Sequence, residues 1–176
     1  LHYSNTQKLP QNQPRQMAIF DVNDFKEVIS FVIKGNFTTL SRNRLCCRVL
    51  RSGSTEPEQK SHIVLNEVVI NNGPTGTVCT LDTYCNDHMI TTVTGDGLIV
   101  GTSTGSTAYN LAAGGSMVHP NVAGILFTPI CPHSLSFRPV ILPPDVNLRV
   151  TVPEEARNTS WALFDGRHNT ELQKGD

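Results

Sequence analysis

The chain has 176 residues, enough to bury a core without disulfides or metals. Its 14 Lys and Arg against 15 Asp and Glu leave a formal net charge of -1, which offers nothing to attract nucleic acid or an anionic membrane. No apolar run approaches the roughly 20 residues that span a bilayer, and the polar start LHYSNTQKLPQNQPRQ has no apolar centre of the kind a secretory signal needs.

Residues 1–16 read as a polar, disordered tail, and the missing initial Met points to a piece of a longer protein. The next stretch, NDFKEVISFVIKGN, predicts a helix. Asp24 can cap it, with Glu27 in capping-box position. Phe25, Val28, Ile29 and Val32 share one face, and Gly35 is placed to end the helix in a left-handed conformation. The period then changes to two. Leu45, Cys47 and Val49 alternate with Arg44, Cys46 and Arg48, the pattern of a half-buried strand.

After a polar loop over 51–61, HIVLNEVVI predicts one continuous strand and NNGPTG a turn. TVCTLDTYC and HMITTVT form a hairpin whose tip is Asn86-Asp87. Gly95-Asp96-Gly97 reads as a tight turn before the strand LIVGT. Residues 107–117 read as helix, AGILFTPI as a buried strand, and CPHSLSFRP as a proline-bounded loop. NLRVTV and TSWALFDG follow as two more strands. Many short strands between turn signals predict a mainly β (α+β) fold, antiparallel and sandwich-like, with few helices.

The cysteines, 46, 47, 79, 85 and 131, are odd in number and contain no C-x-x-C pair. They read as buried thiols in a reducing compartment, hence a cytoplasmic protein. The six histidines show no metal-ligand spacing, so no metal site is assigned.

The chemistry concentrates in GDGLIVGTSTGSTAYNLAAGG, residues 95–115. Gly101, Ser103 and Gly105 fit the G-x-S-x-G nucleophile elbow, with Asp165 and His168 later in triad order. A serine hydrolase needs a mainly parallel sheet, however, and the strands here read as hairpins. The same loop fits a cradle for a polar ligand. Thr104, Ser106 and Thr107 carry hydroxyls, Gly101 and Gly105 admit close approach, a helix start follows, and Tyr109 can cover a flat ring. Asn66-Glu67 interrupts an apolar strand and leaves a polar group on a buried face, which costs free energy unless it is hydrogen-bonded.

These segments, VLNEVVI, DGLIVGTSTGSTAYNLAAGGSMVHPN, TPICPHSLSFRP and EARNTSWALFDGR, together resemble the NAD kinase family, particularly its eukaryotic members, over roughly residues 22–176. TSTGSTAY resembles the family's T-P-T-G-S-T-A-Y, with Ser103 where proline is usual. The resemblance implies transfer of the γ-phosphoryl of ATP, with a divalent metal such as Mg, to the 2′-hydroxyl of NAD's adenosine ribose, giving NADP. It implies that Asn66 and Glu67 hold the adenosine end, that Thr104, Thr107, Ala108 and Tyr109 line the dinucleotide site, and that Asp96 approaches the nicotinamide end, across a subunit interface in a homo-oligomer. The family's G-G-D-G-T, whose Asp engages the 2′-hydroxyl, does not occur here, so no catalytic residue is assigned to this chain. The expected organisation is a tail over 1–16, a helix over 17–36 that borders an absent N-terminal domain, and a β-rich NAD-binding domain over 37–176, truncated at its end. A non-catalytic dinucleotide-binding or oligomerisation module is the alternative.

Overall fold

The computed structural model describes residues 21–37, 39, 41–134 and 136–176. The expected tail over 1–16 lies outside them. The chain divides between Ser41 and Arg42 into two compact units. Among the described residues no helix is long and apolar enough to cross a membrane.

The first unit carries helix α1, Phe25–Ile33. Asp24 precedes it but makes no capping bond. A 3-10 turn over Val22–Asp24 intervenes, and Asp21 accepts the N–H of Asn23 instead. Gly35 takes the expected left-handed conformation, φ 74°. The apolar side chains Phe25, Ile29, Phe31 and Val32 are all about half exposed.

In the second unit every strand pairing is antiparallel. Strands β1 (Leu45–Arg48) and β2 (Ser61–Val64) form a two-stranded ribbon. The six-stranded sheet contains β3 (Glu67–Asn71), β6 (Gly97–Thr102), β7 (Ile125–Ile130), β8 (Val140–Leu142), β10 (Ser160–Phe164) and β11 (His168–Leu172), in the order β11-β10-β3-β6-β7-β8. A three-stranded sheet, β5-β4-β9, is built from β4 (Cys79–Cys85), β5 (His88–Gly95) and β9 (Leu148–Thr151). Val68, Ile70, Leu98, Val100 and Phe127 of the large sheet share one core with Leu81 and Val93 of the small one and with Val152 just after β9. Val69, Ile99 and Ile130 point to the opposite face and form a second cluster with Ala113 and Leu163. Strands β6 and β7 are therefore buried on both faces, which explains their continuous apolar runs.

The sandwich-like antiparallel architecture matches the turn-punctuated pattern of the sequence. The hairpin tip at Asn86-Asp87 is as expected, with both residues at positive φ, 48° and 65°, the geometry of a two-residue hairpin turn. Other expectations fail locally. HIVLNEVVI is two strands in different sheets, broken at Leu65-Asn66. Gly95-Asp96-Gly97 is a bend between sheets, in which Asp96 N–H donates to Ile130 O at 2.9 Å. The short strands β8 and β11 carry no signal that the sequence reading used. The helix expected over 107–117 is a 3-10 turn, Thr104–Thr107, followed by a single helical turn α2, Tyr109–Ala112. Ala108 is extended between them (φ -91°, ψ -132°), and Gly114 at φ 86° ends the run.

His62 on β2 is buried, and its ring stacks on Phe164 at 3.9 Å between centroids and 4° between planes. Burial, then Lys60 and His168, hold the imidazole below its ordinary 6.5, with Glu58 pulling the other way. A depressed histidine pKa means that the unfolded chain takes up the proton first, so stability falls as pH drops below 6.5. Melting temperatures are expected to fall between about pH 7 and about pH 5, and to fall less for His62→Phe, which keeps the stack and removes the titration. Equal losses in both proteins would refute the assignment.

Candidate functional site

The site is built where the chain leaves β2 for β3. At that bend the N–H groups of Leu65, Asn66 and Glu67 all donate to one carboxylate, that of Asp165, at 2.8, 2.8 and 3.2 Å. Asp165 N–H returns a bond to Glu67 O at 3.0 Å. The three carbonyl and hydroxyl contacts on the other side come from the end of β6. Thr102 N–H donates to Asn66 O at 2.8 Å, and Thr102 Oγ1 donates to Leu65 O at 2.5 Å and accepts Gly105 N–H at 3.2 Å. The Gly- and hydroxyl-rich loop is thus laid directly on the main chain of Asn66.

Within that loop, buried and accessible residues separate cleanly. Ser103 and Ser106 are buried. Ser103 Oγ donates to Val122 O. Ser106 Oγ donates to Val118 O at 3.1 Å and accepts Val118 N–H at 3.0 Å. Asn110 is also buried. Its amide donates to Ser106 O and Ser116 O, and its Oδ1 accepts from Thr128 at 2.7 Å. These three side chains are the internal frame of the loop. Ser106 is therefore not a ligand hydroxyl, and Ser103 presents no nucleophile. Asp165 is occupied with the bend, and His168 faces His62, so the hydrolase triad does not form.

Thr104 is half-buried, Thr107, Ala108 and Tyr109 are exposed, and all four stand outside that frame. Asn66 and Glu67, each partly buried, adjoin the loop through Thr102, which donates to Asn66 O, and Gly105, which is set on the Asn66 main chain. Asp96 does not join this group. Glu67 pairs with Gly101 and Asn71 with Gly97. Asp96 therefore sits five residues along β6 from the Glu67 level, about 16 Å away at a strand rise near 3.3 Å. Its neighbour there is Cys131, whose thiol is raised by a hydrogen bond to the Asp96 carboxylate and by its charge.

Among the described residues, Glu67 Oε2 is one of two buried side-chain polar atoms without a hydrogen-bond partner, the other being Arg42 Nη1. Burial, then the Asp165 charge, raise the Glu67 carboxyl above its ordinary 4.5. A buried carboxylate oxygen without a donor is costly in a folded chain. A ligand hydroxyl would supply the donor. The helix-dipole part of the cradle reading falls away, because α2 is only four residues long. Among the described residues no three His, Cys, Asp or Glu side chains gather to hold a metal.

Sequence reasoning missed Asp165 as a structural anchor and weighed it only as a triad member. A signal was present. Asp165-Gly166 joins β10 to β11, with both residues at positive φ, 46° and 65°, and Asp-Gly after an apolar strand is a turn signature. Asn110 had no such signal, since its partners come from three separate segments.

Residues 65–176 match the family described as the ATP-NAD kinase C-terminal domain. A probable NAD kinase 1 of Oryza sativa subsp. japonica is 49% identical over 162 residues, which take in 91% of this chain and 30% of that protein. NAD kinase 2, chloroplastic, of Arabidopsis thaliana is 50% identical over 159 residues, 87% of this chain and 16% of that protein. The crystal structure of yeast NADH kinase complexed with NADH aligns with a TM-score of 0.82 at 36% identity, covering 91% of this chain and 46% of that one. The chain spans about a third of the length of the curated relatives it matches first.

Close approach at Gly105 is the tightest constraint in this loop. A Cβ there would stand 2.6 Å from the carbonyl carbon and 2.8 Å from the Cα of Asn66, main-chain atoms that cannot swing aside. Gly101 is different, with its nearest atom, Asn66 O, at an ordinary 3.5 Å. Gly105→Ala is expected to destabilise the chain by about 1–3 kcal/mol, the usual range for forced overpacking, and Gly101→Ala by less. Denaturant unfolding of the two variants checks the order, and a reversed order would contradict the contact.

Proposed function

The chain belongs to the family of ATP-NAD kinase C-terminal domains, and from that premise we propose that it forms the dinucleotide-holding part of an NAD kinase. The reaction is phosphorylation of the 2′-hydroxyl of NAD's adenosine ribose by ATP, giving NADP. Its relatives are named as NAD kinases, and the yeast relative in the crystal structure is an NADH kinase complexed with NADH.

The observation that carries the reading is the unpartnered Glu67 Oε2, one residue from the Asn66 main chain on which Gly105 of the Thr104–Tyr109 loop is set. An ionised carboxylate only accepts hydrogen bonds, so it selects a ligand rich in donors. A ribose offers hydroxyl donors in that form. Asn66 adds an amide that can both donate and accept. Thr104 and Thr107 add hydroxyls, Ala108 leaves room, and the Tyr109 ring offers a flat apolar face for a base. Asp96, about 16 Å along the sheet, serves the nicotinamide end, which two copies of the chain bring together in a homo-oligomer.

ATP, accompanied by a divalent ion such as Mg, supplies the phosphoryl group and offsets its charge. This chain's residues bind and orient the acceptor. The Asp that engages the 2′-hydroxyl in the family belongs to the G-G-D-G-T segment, which this sequence does not contain. The chain by itself is therefore a binding part with little or no turnover. Of the five free thiols only Cys79 is buried, not all five as the sequence suggested; unpaired thiols suit a reducing compartment, and the cytoplasm is the proposed location.

Calorimetry of the chain with NAD, paired with an NADP assay in the presence of ATP and Mg, tests this. Binding without product is the expected outcome. No heat of binding at millimolar NAD would end the reading, and product from the chain alone would overturn the division of labour.

Glu67 itself gives a sharper check. Its raised pKa means that folding favours the protonated form, so stability from this group is present below 4.5 and lost as pH rises through the folded value. At neutral pH the unpartnered carboxylate is a cost. Glu67→Gln is expected to raise Tm near neutral pH, to lose that advantage under acid conditions, and to weaken NAD binding about tenfold to a hundredfold, the scale of a lost charged hydrogen bond. A variant that is neither more stable nor weaker in binding would contradict both halves.

A further inference from the structure

Asp165 lies outside the predicted ligand-contacting set, yet its carboxylate holds three successive main-chain N–H groups at the bend that carries Asn66 and Glu67. Oδ2 takes Leu65 N–H, and Oδ1 takes those of both Asn66 and Glu67. Each is a charge-assisted bond, the stronger class. The arrangement is held from the other side as well. Asp165 N–H donates to Glu67 O, and Phe164 packs on His62 just upstream of the bend while pairing with Val68 just downstream. Asp165 has a φ of 46°, a left-handed conformation that a non-glycine residue adopts at a cost. A side chain kept in that conformation so that both its oxygens reach one bend serves the bend.

We propose that Asp165 is a positioning residue for the dinucleotide site: by fixing the main chain at residues 65–67 it sets the direction of the Asn66 and Glu67 side chains, and with it the affinity for NAD. The proposal rests on the reading of this site as an NAD site. It adds a residue that touches no ligand and acts through two that do. The same placement makes Asp165 a like-charged neighbour of Glu67, and it accordingly raises the Glu67 carboxyl, second to burial. A further titratable group that feels Asp165 is Cys47 on β1, whose thiol is pushed up to about 12 by burial, then by Cys46 and Asp165. It carries no charge near neutral pH and leaves the electrostatics to the two carboxylates.

Two variants separate positioning from mere folding. Asp165→Asn keeps the shape, retains one acceptor oxygen, and turns an amide toward an N–H group. Asp165→Gly removes the carboxylate and suits the left-handed backbone without strain. Both are compared with the wild-type chain by amide hydrogen exchange, by NMR titration of the Glu67 carboxyl, and by calorimetry with NAD as the probe. The expected results are exchange at Leu65, Asn66 and Glu67 at least about tenfold faster while the core strands stay protected, a Glu67 midpoint lower than in the wild type, and NAD binding weakened about tenfold or more. Folded variants with wild-type exchange at residues 65–67, or with unchanged NAD affinity, would overturn the proposal. If the wild-type chain binds no NAD, the dinucleotide reading fails on its own. Faster exchange with a lowered Glu67 midpoint in the variants then still supports Asp165 as the group that positions Asn66 and Glu67, and unchanged exchange overturns it.

Discussion

A chain that passes from one β-sheet to another must turn without the strand pairing that satisfies its main chain. Residues 65–67 face this problem between the two-stranded ribbon and the large sheet, and the Asp165 carboxylate solves it. An N–H group left without a partner there would cost as much as a lost hydrogen bond. Much of the site follows from that solution. The bend exposes the Asn66 carbonyl to Thr102, Thr102 in turn holds Gly105, and the loop that follows is set down on Asn66. The hairpin that supplies Asp165 lies about 100 residues downstream, so the site closes only after the last strands of the sheet have paired. Such long-range pairing is entropically expensive to assemble and stable once made.

The loop over 102–110 divides its polar side chains between two tasks. Thr102, Ser103, Ser106 and Asn110 are buried, and each is hydrogen-bonded within the protein. Thr104, Thr107 and Tyr109 remain accessible. Buried polar networks rigidify when every member is satisfied. A loop stiffened this way would meet the proposed ligand without having to be ordered by it, which would keep the entropic cost of binding low. Hydroxyl-rich composition alone hid this division, because serine and threonine look alike in sequence whether they build the frame or face outward.

The sequence made the antiparallel, two-sheet architecture legible wherever burial was one-sided or a turn residue was diagnostic. The alternation at Leu45, Cys47 and Val49 and the Asn86-Asp87 tip are examples. It failed where tertiary partners decide the outcome. IVLNEVVI is apolar but for Asn66-Glu67, and the break there is held by Asp165 and Thr102, both distant in the chain. Residues 107–117 have a helical composition, yet Ala108 is extended, because its neighbours are held by buried partners. Gly95 and Gly97 read as turn residues, but their φ values are not left-handed. They are small because Ile130, Cys131 and Ile70 carbonyls pass too close for a Cβ. The family itself was legible through its ordered segments, and residues 65–176 match it; which of Asn66, Glu67, Thr104, Thr107, Ala108 and Tyr109 are partly buried and which exposed was not. The distance of Asp96 from the others was not legible, since register is a property of the folded sheet.

Glu67 and Asp165 finally set the stability of the empty chain against the proposed binding. Two carboxylates share one bend, and only one of them is provided with donors by the protein. The neighbour's charge and the burial both disfavour ionisation of Glu67. A core optimised for stability alone would fill that position with an apolar or neutral side chain. Retaining a carboxylate there makes sense if a ligand supplies the missing donors, because the penalty is then carried by the empty chain and relieved on binding. Such a site binds donor-rich ligands with the advantage of that relief, and discriminates against ligands that lack the hydroxyl, since these would leave the same oxygen buried and unpaired. Specificity for a ribose would then come from a defect in the free protein, held at a fixed place by the residue that settles the main chain beside it.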